Sequence, residues 1–314
     1  MQFLKTPNFD FLGLGRICLA VSALLVVGSI GLVASGGLKY GVEFSSGTQL
    51  IVRFTQAPDI DKIRGAVEKV SPGATIQRFG AVENKQVLIR IGDHKEGEED
   101  LSAGANAVLQ SLATMYADNK VADSSTEIVG PTVGAELRRK AIQLTLFGLF
   151  FQLIYIAWRF KGPVWGSAAT IAVFHDVIIT LGLLAVFRYE ITLNVIAALL
   201  TLVGYSVNDT IVLFDRVREN LRQRRKEPLP KLINDSVNQT LSRTLISNGT
   251  TFLTVLGLFL AGGPVLRGFG FAMVVGVLVG TYSTIYIASP IVVWWQSQAS
   301  KGTGVGGSQI KAAL

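Results

Sequence analysis

Residues 191–214 read ITLNVIAALLTLVGYSVNDTIVLF. A helix of about 20 mainly apolar residues crosses the hydrocarbon of a bilayer, and this stretch is long enough to do so. It carries a single formal charge, Asp209, in a group of polar side chains: Thr201, Tyr205, Ser206 and Asn208. An ionised group at the centre of a spanning helix costs roughly 2.5–3.5 kcal/mol on insertion scales, so its presence calls for a reason. Tyr205 and Asp209 stand four apart, and Asn208 stands three from Tyr205. That spacing puts them on one helical face, with Thr201 a turn earlier. Such a stripe must meet another helix or water, not lipid.

Working outward, comparable apolar runs lie at residues 17–34, 141–157, 164–187, 245–261 and 269–295. Together they predict an α-helical membrane bundle of about six transmembrane helices. Composition agrees: 49% of residues are hydrophobic and only 16% charged, against about 25% charged in soluble domains, and mean hydropathy is +0.44. The first run is longer than a signal-peptide core and follows a long leading segment, so it reads as an uncleaved anchor. The lone cysteine, Cys18, lies within it and excludes an intrachain disulfide.

The net charge of +7 sits mainly in short segments beside the apolar runs, where it sets orientation. One side receives Lys5 and Arg16, Arg159 and Lys161, the segment Arg216 to Lys231, then Lys301 and Lys311, while the opposite short loops hold only Arg188 and Arg267. Both termini are therefore expected on the cytoplasmic face. The expected divisions are 1–38 (leading segment and first span), 39–140 (an external domain), 141–296 (five spans, with a basic cytoplasmic loop at 215–243) and 297–314 (a flexible cytoplasmic tail). Tyr155, Trp158, Trp165, Trp294 and Trp295 fall near run ends, where amphipathic rings favour the membrane interface. No zinc-like spacing and no nucleic-acid motif is present, and nucleic acid is not an expected partner.

The 39–140 segment has its own periodicity. Residues 48–54 alternate as a strand does. Ile60, Ile63, Ala66, Val67 and Val70 mark a helical face. Residues 74–79 and 86–91 read as strands, 101–116 as a second helix and 126–129 as a short last strand. The order β-α-β-β-α-β predicts a small α+β, ferredoxin-like domain. Glu98, Glu99 and Asp100 read as a solvated helix start rather than a metal or catalytic site.

Two further places put ionisable groups inside the bilayer. His175 and Asp176 lie about halfway along the 164–187 run; they read either as a hydrogen-bonded pair that fixes packing or as members of a proton relay, since histidine titrates near neutral pH. Arg243 stands at the cytoplasmic end of the 245–261 run, at a depth similar to Asp209. It either snorkels to the surface or, being unable to deprotonate, holds Asp209 charged. Asp209 itself reads as a helix-contact residue or as a carboxylate that takes up and releases a proton. Gly276 and Gly280 form a GxxxG that permits close helix approach.

Several stretches resemble the SecF family, the smaller membrane subunits of bacterial SecDF protein-export complexes, within the resistance-nodulation-division superfamily. They are LTLVGYSVNDTIVLFDRVRENL (200–221), LSRTLISNGTT (241–251), LRGFGFAMVVGVLVGTYSTIYIASP (266–290), VGPTVGAELRRKAI (129–142) and AVFHDV (172–177). Where that family usually reads Gly-x-Asp-Phe-x-Gly-Gly, this chain has Gly41-Val42-Glu43-Phe44-Ser45-Ser46-Gly47, with one glycine replaced by Ser46. The resemblance implies a six-span unit in the bacterial inner membrane that pairs with a homologous SecD-like subunit. The pair would use the proton-motive force to move external domains and assist late export of unfolded polypeptide through the Sec channel. By motif, Asp209 and Arg243 match the family's intramembrane acidic and basic positions. Tyr205, Asn208, His175 and Asp176 complete the expected proton pathway. Membrane lipid is a further expected partner; Arg222, Arg224, Arg225 and Lys226 read first as a cytoplasmic retention signal and secondarily as a contact for anionic lipid or a partner. A passive scaffold and one half of a small-molecule efflux pump are the competing classes. An enzyme is not expected: no nucleophile–base pair is present, His94 and His175 are far apart, and neither a cofactor nor a metal is implied.

Overall fold

The computed structural model describes residues 7–80, 82–92, 98–160 and 163–303. Lys5, His94, Lys161 and Lys311 lie outside the described residues, as do residues 304–314 and the side chains of Glu98, Glu99, Asp100 and Lys301. The chain forms two compact units: Met1–Lys39 with Thr145–Leu314, and Tyr40–Leu144.

The first unit is helical. Its elements begin with α1 (Gly15–Ala34). In the second unit come β1 (Gly47–Phe54), α2 (Ile60–Glu68), β2 (Thr75–Phe79), β3 (Gln86–Ile91), α3 (Glu98–Met115) and β4 (Val121–Val129). The chain continues as α4 (Pro131–Phe160), α5 (Pro163–Val186), α6 (Leu193–Gln223), α7 (Leu229–Ala261) and α8 (Gly263–Ser283). A π turn over Thr284–Ala288 leads into α9 (Ser289–Thr303). Among the described residues, six helical stretches are long and apolar enough to cross a membrane.

In the second unit β1 pairs antiparallel with both β3 and β4, and β2 pairs antiparallel with β3, so the sheet order is β2-β3-β1-β4. Along β1, Leu50, Val52 and Phe54 are buried, while Arg53 between them is exposed. This period of two turns one face toward α2 and α3, where Ile63, Val67, Val108 and Leu112 complete the core. The side chain of Asp59 caps α2 by accepting from the amides of Asp61 and Lys62, which satisfies donors a helix start leaves open. The last strand is longer than its apolar residues suggest. Its exposed polar middle is held by pairing to β1 from Gly47↔Val129 to Phe54↔Val121.

In the helical unit, α5, α6 and the α8–α9 stretch bury 56%, 44% and 56% of their spanning segments, against 6%, 11% and 11% for α1, α4 and α7. The first three form the centre and the others the rim. Close approach of α6 and α8 depends on Gly276, where a Cβ would lie 2.5 Å from the Leu202 side chain. Thus the GxxxG spacing is used at this contact. The π turn has a local cause. Pro290 cannot donate to the carbonyl a turn earlier and its ring crowds that carbonyl, so the helix widens just before it; Ser289 Oγ donates to Thr284 O at 3.0 Å.

Three expectations change. Trp165 is not at an interface: it is 0% exposed and packs edge-on against Phe214, ring centroids 4.9 Å apart. The segment 215–243 is not a loop. It is an antiparallel helical hairpin turning at Arg224–Pro228. Val217, Leu221, Leu229, Leu232, Ile233 and Val237 belong to the core of the unit, an apolar face that the intervening arginines disguise. Finally, α9 continues to Thr303, into the region expected to be irregular tail.

Candidate functional site: two carboxylates within the bundle

Asp176 comes from the middle of α5 and is 0% exposed. Three donors from three helices converge on its carboxylate. Ser206 Oγ of α6 lies 2.5 Å from Oδ2, Ser283 Oγ of α8 lies 2.8 Å from Oδ2, and His175 Nδ1 lies 2.9 Å from Oδ1. A buried carboxylate is tolerable when hydrogen bonds reach both of its oxygens in this way. Gly280 leaves the room: a Cβ there would lie 3.4 Å from Ser206 Cβ and 3.6 Å from Asp176 Oδ2. The His175 ring stacks on Tyr282, centroids 6.2 Å apart, and its Nε2 is buried with no hydrogen-bond partner among the described residues. Tyr282 in turn donates to Cys18 O at 2.8 Å and hydrogen-bonds Ser22, which ties α1 to the same centre.

Asp209, two turns and more along α6 from Thr201, is 7% exposed. Its Oδ2 accepts from Nδ2 of Asn248 on α7. The same Nδ2 lies 2.6 Å from Thr281 Oγ1 of α8, and Asn248 Oδ1 is buried without a hydrogen-bond partner among the described residues. Tyr205 belongs to this face: its hydroxyl donates to Thr251 Oγ1 at 2.6 Å and approaches Ser247 O at 3.1 Å. The expected face of Tyr205 and Asp209 is therefore one surface against α7.

Arg243 and Asn208 are not drawn into that network. Arg243 is exposed and makes no ion pair with Asp209, although it is near enough to act on it through space. Five residues separate Arg243 from Asn248, a rotation of about 140° around the helix. With Asn248 turned toward Asp209, Arg243 is turned away. Asn208 is exposed, as are Thr201 and Gly204 on the same helix. Asn248 went unread because one amide in an apolar run looks like any other polar interruption. Its only signal in the sequence was its place in the recognisable 241–251 stretch.

Beyond the spans, the helical hairpin is closed by ion pairs. Arg224 bonds Glu227 at 2.8 Å and Asp235 at 2.7 Å, and Lys231 reaches Glu227 at 3.1 Å. These hydrogen bonds, first from Arg224 and then from Lys231, hold the Glu227 carboxyl below the usual glutamate value. Among the described residues no group of three or more His, Cys, Asp or Glu is placed to hold a metal ion.

These features define a multi-pass membrane protein with two carboxylates embedded in its helical core. The comparisons with known proteins place it more closely. Residues 108–298 match the family "Protein export membrane protein SecD/SecF, C-terminal". Protein translocase subunit SecF of Calditerrivibrio nitroreducens is 41% identical over 298 residues, covering 93% of this chain and 96% of that protein. SecF of Magnetococcus marinus is 40% identical over 293 residues, covering 92% and 93%. The crystal structure of SecDF, a translocon-associated membrane protein from Thermus thermophilus, superposes with a TM-score of 0.81 at 37% identity over 93% of this chain. A SecDF structure in its super-membrane-facing form gives 0.69 at 35% identity. The chain spans 39% and 41% of those longer SecDF chains. The chain belongs to the SecF group of the SecD/SecF protein-export membrane family.

Proposed function

We propose that the chain is a subunit of an accessory complex that uses the proton-motive force to promote late steps of protein export. Its partners are a homologous SecD-like subunit, the Sec channel, the unfolded polypeptide in transit and the surrounding lipid. It works without chemistry of its own as an enzyme. It resides in the bacterial inner membrane with both termini cytoplasmic, an orientation supported by the distribution of Lys and Arg. The α+β unit is read as a periplasmic ferredoxin-like domain, a reading supported by its element order and by a sheet that places β1 between β3 and β4.

The observation that carries the mechanism is the pairing of Asp209 with Asn248. A primary amide serves both protonation states of a carboxyl group. Its N–H donates to the carboxylate, and its C=O accepts from the carboxylic acid. Asn248 already donates through Nδ2, while its Oδ1 has no partner. Arrival of a proton on Asp209 would let the amide turn over and accept. That exchange alters the hold between α6 and α7 without leaving a charge exposed to lipid. Arg243, outside the pair, supplies a fixed positive potential. One charge crossing about 100 mV releases roughly 2.3 kcal/mol, enough to bias two packings of the helices and so the attached domain. His175, with Nε2 unpaired beside Asp176, is a second proton acceptor of the pathway.

The test is Asp209→Asn in proteoliposomes that report both export and proton flux. Both should fall at least about tenfold, which corresponds to 1.4 kcal/mol. Wild-type flux and export in that variant would leave only a scaffold role.

A further inference from the structure

Where α4 ends and α6 leaves its apolar stretch, a cavity of about 490 Å³ is lined by Arg159, Asp215, Arg218, Glu219, Arg222 and Gln223. Both carboxylates in its wall are already engaged. Arg159 hydrogen-bonds Asp215. Arg216 Nη1 donates to Glu219 Oε2 at 2.6 Å, and Gln223 Nε2 donates to Glu219 Oε1 at 3.4 Å. Arg218 and Arg222 stand four apart and share one helical face. Among the described residues neither has an ion-pair or hydrogen-bond partner, and both line the cavity. Two uncompensated guanidinium groups at one recess fit a phosphate, whose oxygens accept from such forks.

The surroundings specify what carries that phosphate. Phe151, Ile154, Tyr155 and Trp158 follow the i, i+3, i+4, i+7 spacing of one α4 stripe, and all four are exposed, Trp158 at 71%. The stripe leads to Arg159 at the cavity. An exposed aromatic pair at the end of a spanning helix marks the headgroup level, and the apolar residues before it offer a track for acyl chains. We propose that this recess binds the headgroup phosphate of one anionic phospholipid, with Arg218 and Arg222 as its ligands and the Phe151–Ile154 stripe against its chains. The proposal is independent of proton coupling, because neither carboxylate of the bundle takes part.

The experiment titrates phosphatidylglycerol, and separately phosphatidylethanolamine, into the delipidated full-length chain in detergent and counts bound lipid by native mass spectrometry. Wild type should retain one phosphatidylglycerol in preference to phosphatidylethanolamine. Arg222→Gln, at an exposed position, should weaken that binding about fivefold, and Arg218→Gln with Arg222→Gln about twenty-five-fold. Melting temperatures establish that the variants are folded, and if the double variant is not, the single one decides. Equal retention of the two lipids, or unchanged phosphatidylglycerol binding in a folded variant, would overturn the proposal. So would full displacement by millimolar inorganic phosphate, which would assign a free-anion site instead.

Discussion

Asp176 and Asp209 are both carboxylates buried in one bundle, yet they are held differently. Three donors from three helices fix Asp176, and two of them are serines whose small side chains allow the backbones to approach. One amide holds Asp209, and that amide has an idle acceptor. The contrast teaches that burial alone does not identify a group able to change state. A carboxylate held by three groups on three helices behaves as a strut, whereas one facing a partner that can both donate and accept has two satisfied arrangements.

The largest expected effect tests the strut. Asp176→Ala strands Ser206, Ser283 and His175 at the centre of the bundle, and removing one member of such a network costs about 3–5 kcal/mol. Thermal unfolding of the detergent-purified chain reads it directly; a melting point equal to wild type would break the contrast. Next comes the helix packing beside the two sites. Gly276→Ala forces Leu202 aside and should cost about 1–3 kcal/mol as overpacking. Gly204→Ala on exposed α6 surface, where an added Cβ meets nothing within 4 Å, should gain up to about 1 kcal/mol in the isolated chain. Asp209→Asn should change stability by less than about 1 kcal/mol, because an amide can replace the carboxylate opposite Asn248. A loss as large as that of Asp176→Ala would make the two carboxylates the same kind of group.

The smallest effect lies outside both and calibrates them. The folded-state carboxyl of Glu227 titrates below its unfolded value, so its ion pairs stabilise the hairpin turn fully above the ordinary glutamate range. That contribution is lost as pH falls through the lowered value. Protection of the amides of residues 224–227 and 229 against hydrogen exchange, relative to the intrinsic rate at each pH, should fall over that acidic window, and Glu227→Gln should remove that change in protection.

The spans were legible because each is a contiguous apolar run, and the strands of the second unit because residues such as Leu50, Val52 and Phe54 alternate. What stayed hidden depends on which helix faces which. Helical spacing placed Tyr205 beside Asp209, but it could not show that Asn208 turns outward or that α7 presents Asn248 rather than Arg243. Trp165 misled because nearness to the end of a run resembles nearness to the membrane surface. The core needed its ring against Phe214. The hairpin was masked by arginines threaded through an apolar face. Ser46, which stands where the resembled family usually has glycine, has φ of +62°, a region that favours glycine, and its Oγ lies 2.5 Å from where a Cβ on Gly134 would sit.

Before α1, the backbone of Phe9 and Phe11 is gripped by two asparagines of α7. Asn238 Oδ1 accepts from Phe9 N at 3.0 Å, Asn234 Oδ1 accepts from Phe11 N at 2.9 Å, and both amides donate to Phe9 O at 2.9 Å. These partners are 229 and 223 residues apart in the chain. A ribosome adding about 5–20 residues per second takes roughly ten to fifty seconds to cover that interval. During synthesis the clasp around Phe9 and Phe11 therefore cannot close until Asn234 and Asn238 have been added.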